Sequence, residues 1–267
     1  MRYICVGSGI VYSSHPHSSS HSIPTVCDAY PPNTVMIWIT GDKHGDFSAV
    51  EAFCKKWQTR REDTLIILGD AGINYFSDGR ETELKEALAA LPITLFCVHG
   101  NHEARPETLP GYTLQDAFGG KAYVDPRYPN QLFPVDGAIY QIGSQRTLII
   151  GGAYSVDKFI RLRNRWHWFA DEQPSDEIKA RTEAALEALN WQVDTVLSHT
   201  CPKSQMPLEK IPPLASEWGP VDDSTELWLE TIRKKLSFYR WYAGHFHVDY
   251  WRDNFTFLFD SFQLFDA

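Results

Sequence analysis

Val35-Met36-Ile37-Trp38-Ile39-Thr40-Gly41-Asp42-Lys43-His44-Gly45 is an apolar run that stops in a glycine-flanked turn carrying a carboxylate and an imidazole. A run of this length and composition reads as a buried strand, and its end presents Asp42 and His44 two residues apart. Four later stretches repeat the arrangement. They are Leu65-Ile66-Ile67-Leu68-Gly69-Asp70, Leu95-Phe96-Cys97-Val98-His99-Gly100-Asn101-His102, Thr195-Val196-Leu197-Ser198-His199 and Trp241-Tyr242-Ala243-Gly244-His245-Phe246-His247. Each ends a β-branched or aromatic run with a possible metal ligand, and the five turns are expected to meet at one two-metal site.

The segments between the turns support this. After the first turn, Phe47, Val50, Phe53, Cys54 and Trp57 recur at helical spacing, with Asp46 or Ser48 as the expected N-cap. Asp70 follows Asp42 by 28 residues, the length of a strand–helix–strand unit, and Asn101 follows Asp70 by 31. A helix over about Arg80–Ala90 is expected to turn Leu84, Ala87, Leu88 and Leu91 inward and to stop at Pro92. Polar residues at successive strand ends then share one edge of a parallel sheet, where open α/β sheets bind ligands.

The next stretch breaks the rhythm. Short strands are expected at Ala122–Val124, Ala138–Ile142 and Thr147–Ile150, the last two joined as a hairpin, which suggests a second, antiparallel layer. Arg161, Arg163 and Arg165 then alternate ahead of Trp166 and Trp168. That spacing fits a strand with one basic face. Two readings fit it: a lip that grips substrate phosphates and stacks a base, or a solvated loop whose aromatics pack down. Ser175 is expected to cap a helix to about Asn190, and another over about Ser224–Leu236 precedes the fifth turn. Phe255–Phe259 reads as the final strand.

Composition narrows the class. A 267-residue chain with 43% hydrophobic residues can bury one large core. No apolar stretch approaches the roughly 18–20 residues that span a bilayer, so no membrane association is expected. Net charge of −9 argues against a broad face for duplex nucleic acid, though not against a small phosphoester or nucleotide. Cys5, Cys27, Cys54, Cys97 and Cys201 are odd in number and lack C-x-x-C spacing, which fits a cytoplasmic protein. Residues 1–33 hold seven Ser, four Pro and His15, His17 and His21, with Arg2 and Asp28 as their only charges. They read as a disordered leader ahead of one domain over 34–267. Nothing in the sequence fixes the oligomeric state.

Hydrolytic metal sites combine oxygen and nitrogen ligands on rigid elements. Asp42 and His44 can grip an ion from one strand end, and Asp70 is suited to bridge two. Asn101 offers an amide oxygen, and His199, His245 and His247 offer imidazoles. Each signal alone is weak; in order at five strand ends, the set is specific. The series Gly41-Asp42-x-His44-Gly45, Gly69-Asp70, Gly100-Asn101-His102-Glu103, Ser198-His199 and Gly244-His245-x-His247 resembles that of the calcineurin-like metallophosphoesterases. The resemblance implies an α/β fold, a four-layer αββα sandwich with two mixed β-sheets flanked by helices. It also implies two divalent ions, Mn²⁺ foremost, with Fe, Zn²⁺ or Ni²⁺ as alternatives. By motif, Asp42, His44 and His247 would hold the first ion, Asp70 would bridge, and Asn101, His199 and His245 would hold the second.

His102 would be the catalytic histidine, protonating the leaving group while a metal-bridging hydroxide attacks a phosphodiester or phosphomonoester. Asp70 and Asn101 would share in that catalysis. Glu103 either orients His102 or is an exposed turn acid. Gly69-Asp70 runs into Ala71-Gly72-Ile73 with no Arg until Arg80. That departs from the Asp-Arg pair of the protein Ser/Thr phosphatases and dinucleoside tetraphosphatases, and the chain is more similar to small stand-alone bacterial and phage phosphoesterases. The competing expectation is a catalytically weak, metal-binding interaction scaffold of the same fold.

Overall fold

Strands β1 (Ile37–Thr40), β2 (Thr64–Ile67) and β3 (Thr94–Cys97) pair in parallel, with α1 (Ser48–Trp57) and α2 (Gly79–Ala89) as their crossovers. The computed structural model describes residues 34–213 and 219–265, so the expected leader lies outside the described residues. The chain continues through β4 (Thr113–Ala117), β5 (Gly120–Val124), β6 (Gln131–Pro134), β7 (Ile139–Ile142) and β8 (Gln145–Ile150). Then come α3 (Lys158–Asn164), α4 (Asp176–Ala188), β9 (Thr195–Ser198) and α5 (Ser224–Lys235). It closes with β10 (Arg240–Ala243), β11 (Tyr250–Arg252), β12 (Phe255–Phe257) and β13 (Gln263–Leu264).

Two mixed sheets result. One runs β13-β1-β2-β3-β6-β5-β4 and the other β11-β12-β10-β9-β8-β7. The period-2 alternation of the central strands builds three apolar layers from them. Leu65 and Ile67 of β2 pack with Val50, Phe53 and Leu88 of the first helix pair. Ile66 and Leu68, one residue out of phase, meet Ile149, Leu197 and Tyr242 between the sheets. Val196 and Trp241 turn outward to Leu186, Leu229 and Ile232 of α4 and α5. Three cores between four layers make the expected αββα sandwich, and the central strands are apolar on both faces because both are covered. Among the described residues, no helix is long and apolar enough to cross a membrane.

Several local expectations are corrected. The second sheet is mixed rather than antiparallel: β8, β9, β10 and β12 run parallel, and only β7 and β11 reverse. Phe255–Phe257 is not the last strand, since β13 returns to pair antiparallel with β1. Leu84, Leu88 and Leu91 face the first core as expected, but Ala87 is exposed and Lys85 is buried in its place. Lys85 is tolerated inside because its Nζ lies 2.7 Å from Asn74 Oδ1 and 3.3 Å from Glu81 Oε1. Phe47 occupies the N-cap position of α1, while Asp46 accepts from the Ser48 N–H and hydroxyl. Ser175 caps α4 as expected, accepting from Ile178 N. Arg161 and Arg163 lie on α3, not on a strand, and Arg165 is its left-handed C-cap. At 100° per residue, i, i+2 and i+4 do not share a face.

Candidate metal centre

The five turns lie at the carboxyl ends of β1, β2, β3, β9 and β10, so both sheets direct them to one edge. Backbone bonds stitch the turns together. Lys43 N and His44 N both donate to Asp70 O, His199 N donates to Ile150 O, and Gly244 N donates to His199 O. The glycines make room for the polar side chains. A Cβ on Gly69, whose φ is +93°, would lie 2.1 Å from His199 Nδ1. At Gly100 it would lie 2.0 Å from Asp70 Oδ1, and at Gly244 2.5 Å from Asp42 Oδ1. His44, Asp70, His245 and His247 all hold positive φ. Left-handed backbone at four expected ligands is strain concentrated where a site needs it.

Two side-chain clusters form here, Asp42 with His44 and His247, and Asp42 with Asp70 and His199. His247 Nε2 stands 3.3 Å from Asp42 Oδ2 and 2.9 Å from His44 Nε2. Asp70 lies between the groups, with Oδ2 3.8 Å from His44 Nδ1 and Oδ1 3.7 Å from His199 Nε2. Asn101 Oδ1 lies 2.8 Å from His199 Nε2. His245 stands beside His199, ring centroids 5.0 Å apart, and its N–H donates to Asp42 Oδ1. Asp42 thus joins both clusters, alongside the central Asp70.

This donor set fits divalent ions. Asp42 Oδ2 is buried and has no hydrogen-bond partner, an expensive state for a carboxylate oxygen that a cation would relieve. His199 Nδ1 bonds Leu68 O at 2.7 Å, which holds the proton there and leaves Nε2 free as a donor atom. Burial pushes the His245 pKa down to about 3, aided by His199, so its imidazole is neutral, the form that binds metals. Burial raises the Asp42 and Asp70 pKa values, but the surrounding histidines outweigh it and hold both carboxyls below the usual range.

His102 borders the clusters. Its N–H donates to Asp70 Oδ1 at 2.8 Å, and its Nε2 lies 3.9 Å from Asp70 Oδ2. Arg161 Nη2 is 3.3 Å from that Nε2, while Arg161 Nε is held by both Asp157 oxygens at 2.8 Å. The structure therefore brings Arg161 to the site. Arg163, Arg165 and Trp166 are exposed, and Trp168 instead donates to Glu172. Glu103 takes neither expected role. It is buried and accepts from Gly100 N at 2.7 Å and Gly72 N at 3.3 Å, fixing two ligand turns rather than His102.

Ser155 and Glu172 escaped the sequence reading. Ser155 Oγ accepts from Asn101 Nδ2 at 2.8 Å, and the buried Glu172 accepts from Trp168 Nε1 at 2.8 Å. The usable signal for Ser155 was Gly151-Gly152 directly after the buried run of β8. That strand ends at the same edge as β9, so the turn after it belongs with the other five.

The sequence model of the calcineurin-like phosphoesterases matches residues 35–249 of the 267. No curated protein matches the chain. A crystal structure covering 83% of this chain and 88% of its own is 14% identical, with a TM-score of 0.42. That of a protein of unknown function from Aquifex aeolicus covers 65% of this chain and 82% of its own, at 16% identity and a TM-score of 0.31. On the family match, the chain belongs to the calcineurin-like phosphoesterases. With the Asp and His clusters, that membership makes it a metal-dependent phosphoesterase with a dinuclear divalent site.

Proposed function

We propose that this calcineurin-like phosphoesterase hydrolyses small phosphodiesters, nucleotide-type substrates included, in preference to monoesters. The carrying observation is the convergence on Asp70. His44 and His199 approach its two oxygens from opposite clusters, and His102 borders it on a third side. In this reading Asp42, His44 and His247 would hold one ion, Asn101, His199 and His245 would hold the other, and Asp70 would serve both. Mn²⁺ is the first choice for both positions. Two divalent ions, when bound, activate a shared water and supply positive charge for in-line displacement.

The chain's own residues do the rest. Asn101 orients the phosphoryl group from beside His199. Arg161, pre-aimed by Asp157, offers its guanidinium to a phosphoryl oxygen beside His102, where no reorganisation is needed. His102 Nε2 faces the Arg161 guanidinium at 3.3 Å, and burial lowers the His102 pKa; in this reading it would exchange that contact for a proton and pass the proton to the leaving oxygen, a step that matters most when that oxygen leaves as a poor alkoxide. The buried, free thiols of Cys54, Cys97 and Cys201 support a reducing cytoplasm as the compartment.

The test is the leaving-group dependence of His102→Ala. The proposal expects a far larger loss of kcat/KM on an alkyl or nucleoside ester than on an activated aryl ester. Equal losses on both would remove His102 from the acid role. Full metal with no turnover on any ester in the wild type would favour the interaction scaffold instead.

A further inference from the structure

A cleft of about 310 Å³ lies next to the His102 turn, near the lower end of the size range of small-molecule pockets. Phe76, Leu109, Pro110, Tyr112 and Phe169 give it apolar, largely aromatic walls. Two contacts join it to the reacting edge. Ala104, a wall residue two positions after His102, donates its N–H to the backbone oxygen of Asn74, also in the wall. The following residue, Tyr75, accepts from Arg161 Nη1 at 3.4 Å through its hydroxyl, and its ring lies 6.2 Å from that of Phe169. The cleft is therefore on the side of His102 and Arg161, from which the leaving group departs in the proposed reaction.

The charges around the cleft narrow its occupant. Lys85, buried in the wall, has Nζ 2.7 Å from Asn74 Oδ1 and 3.3 Å from Glu81 Oε1. Arg127 Nη2 pairs with Asp125 Oδ2 at 2.7 Å. Among the described residues, each lining cation thus has a lining carboxylate beside it, and the lining is neutral overall. A second phosphate would find no unpaired cation here. An acyl chain would set hydrocarbon against two ion pairs and the Tyr112 hydroxyl, which is costly. A flat heteroaromatic ring suits both parts of the lining, since its faces stack on aromatic rings and its polar edge meets the charged and hydroxyl groups. The wall is also fixed in advance. Glu81 accepts from Asn74 N at 2.6 Å and from Phe76 N at 3.1 Å, so the segment carrying Phe76 is already ordered before a ligand arrives.

We propose that this cleft is a nucleoside subsite, so that the substrate is a nucleoside phosphodiester whose base stacks on Phe76, Tyr112 and Phe169 while its phosphate meets the metal centre. The inference deepens the phosphodiesterase reading and rests on it. Water adds at phosphorus, the bond to the nucleoside oxygen breaks, and the nucleoside leaves as an alcohol with the proton that His102 passes on. The wall residues select the leaving group, and none of them touches the reacting atoms.

Two diesters test this. Adenosine 5′-methyl phosphate and glycerol 3-methyl phosphate release the same class of alkoxide, and only the first carries a base. With the Mn²⁺-loaded protein, kcat/KM for adenosine release is expected to exceed that for glycerol release by at least about fivefold, the lower end of what stacking one base is worth. Ser77 lines the cleft and is exposed, so Ser77→Trp fills the cleft without disturbing the core and should bring the two values together. Calorimetric titration with adenosine, which needs no turnover, should show binding to the wild type and at least about fivefold weaker binding to Ser77→Trp. A wild-type ratio near one, a ratio that survives Ser77→Trp, or adenosine binding that the substitution leaves unchanged would overturn the subsite. Hexyl methyl phosphate turned over faster than the adenosine ester would overturn it too, giving the cleft to an apolar chain. No hydrolysis of any of these esters would overturn the phosphodiesterase reading together with the inference. Equal hydrolysis of all three, with no adenosine bound, would overturn the subsite alone.

Discussion

Arg161 Nη2 lies 3.3 Å from His102 Nε2, and the Arg161 Nε is anchored by both oxygens of Asp157. The guanidinium is thus held at the reacting edge before substrate arrives. Replacing Arg161 by Ala is expected to cut kcat/KM for a phosphodiester by about 10²-fold, the scale of losing one preorganised donor. Arg163 and Arg165 are exposed on and after the same helix, and their double replacement by Ala should change kcat/KM by less than about twofold. Steady-state kinetics on one diester decides it. Comparable losses would restore a shared basic lip.

Gly100 sits against Asp70 so closely that a Cβ would fall 2.0 Å from Oδ1 and 2.1 Å from the Asp70 backbone N. Gly100→Ala should displace the carboxylate, at a stability cost of about 1–3 kcal/mol or more for overpacking. Metal should be lost with it. Gly79→Ala is the control, since a Cβ there meets nothing within 4 Å. Thermal melts and metal content of the two variants should diverge. A metal-replete Gly100→Ala protein would contradict the packing argument.

Glu230 gives the fold a pH dependence that can be isolated. The Arg233 side chain, aided by hydrogen bonds from Ser204 and opposed by burial, lowers its pKa from the usual 4.5 to about 2. A carboxyl whose folded pKa is depressed stabilises the fold fully above 4.5 and loses that contribution as pH falls toward 2. Glu230→Gln should therefore be less stable than the wild type at pH 7, with the gap closing between pH 4.5 and 2. Urea unfolding across that range measures it. A gap independent of pH would contradict the assignment.

The ligand turns were legible because each is local: a doubly buried strand announces itself by an unbroken apolar run, and a glycine followed by Asp, Asn or His marks its end. The order of those turns carried the family resemblance, and the resemblance implied the αββα sandwich. Helix α3 was not legible, since it buries no residue and so prints no 3.6-residue apolar period. The basic alternation within it mimicked a strand instead. Ser155 and Glu172 were hidden for another reason. Ser155 meets Asn101, 54 residues away in sequence, and Glu172 meets Trp168 only once the segments after β8 and α3 fold. Glu103 was misjudged because its two partners are backbone N–H groups, which leave no trace in side-chain spacing.

The central claim is that Asp70 serves two ions at once, and metal stoichiometry tests it most directly. Wild-type protein reconstituted with Mn²⁺, freed of excess ion and analysed by inductively coupled plasma mass spectrometry should carry two ions per chain. Asp70→Asn, treated the same way, should lose both. A variant that keeps its full metal content would contradict the account, as would a wild type that retains none.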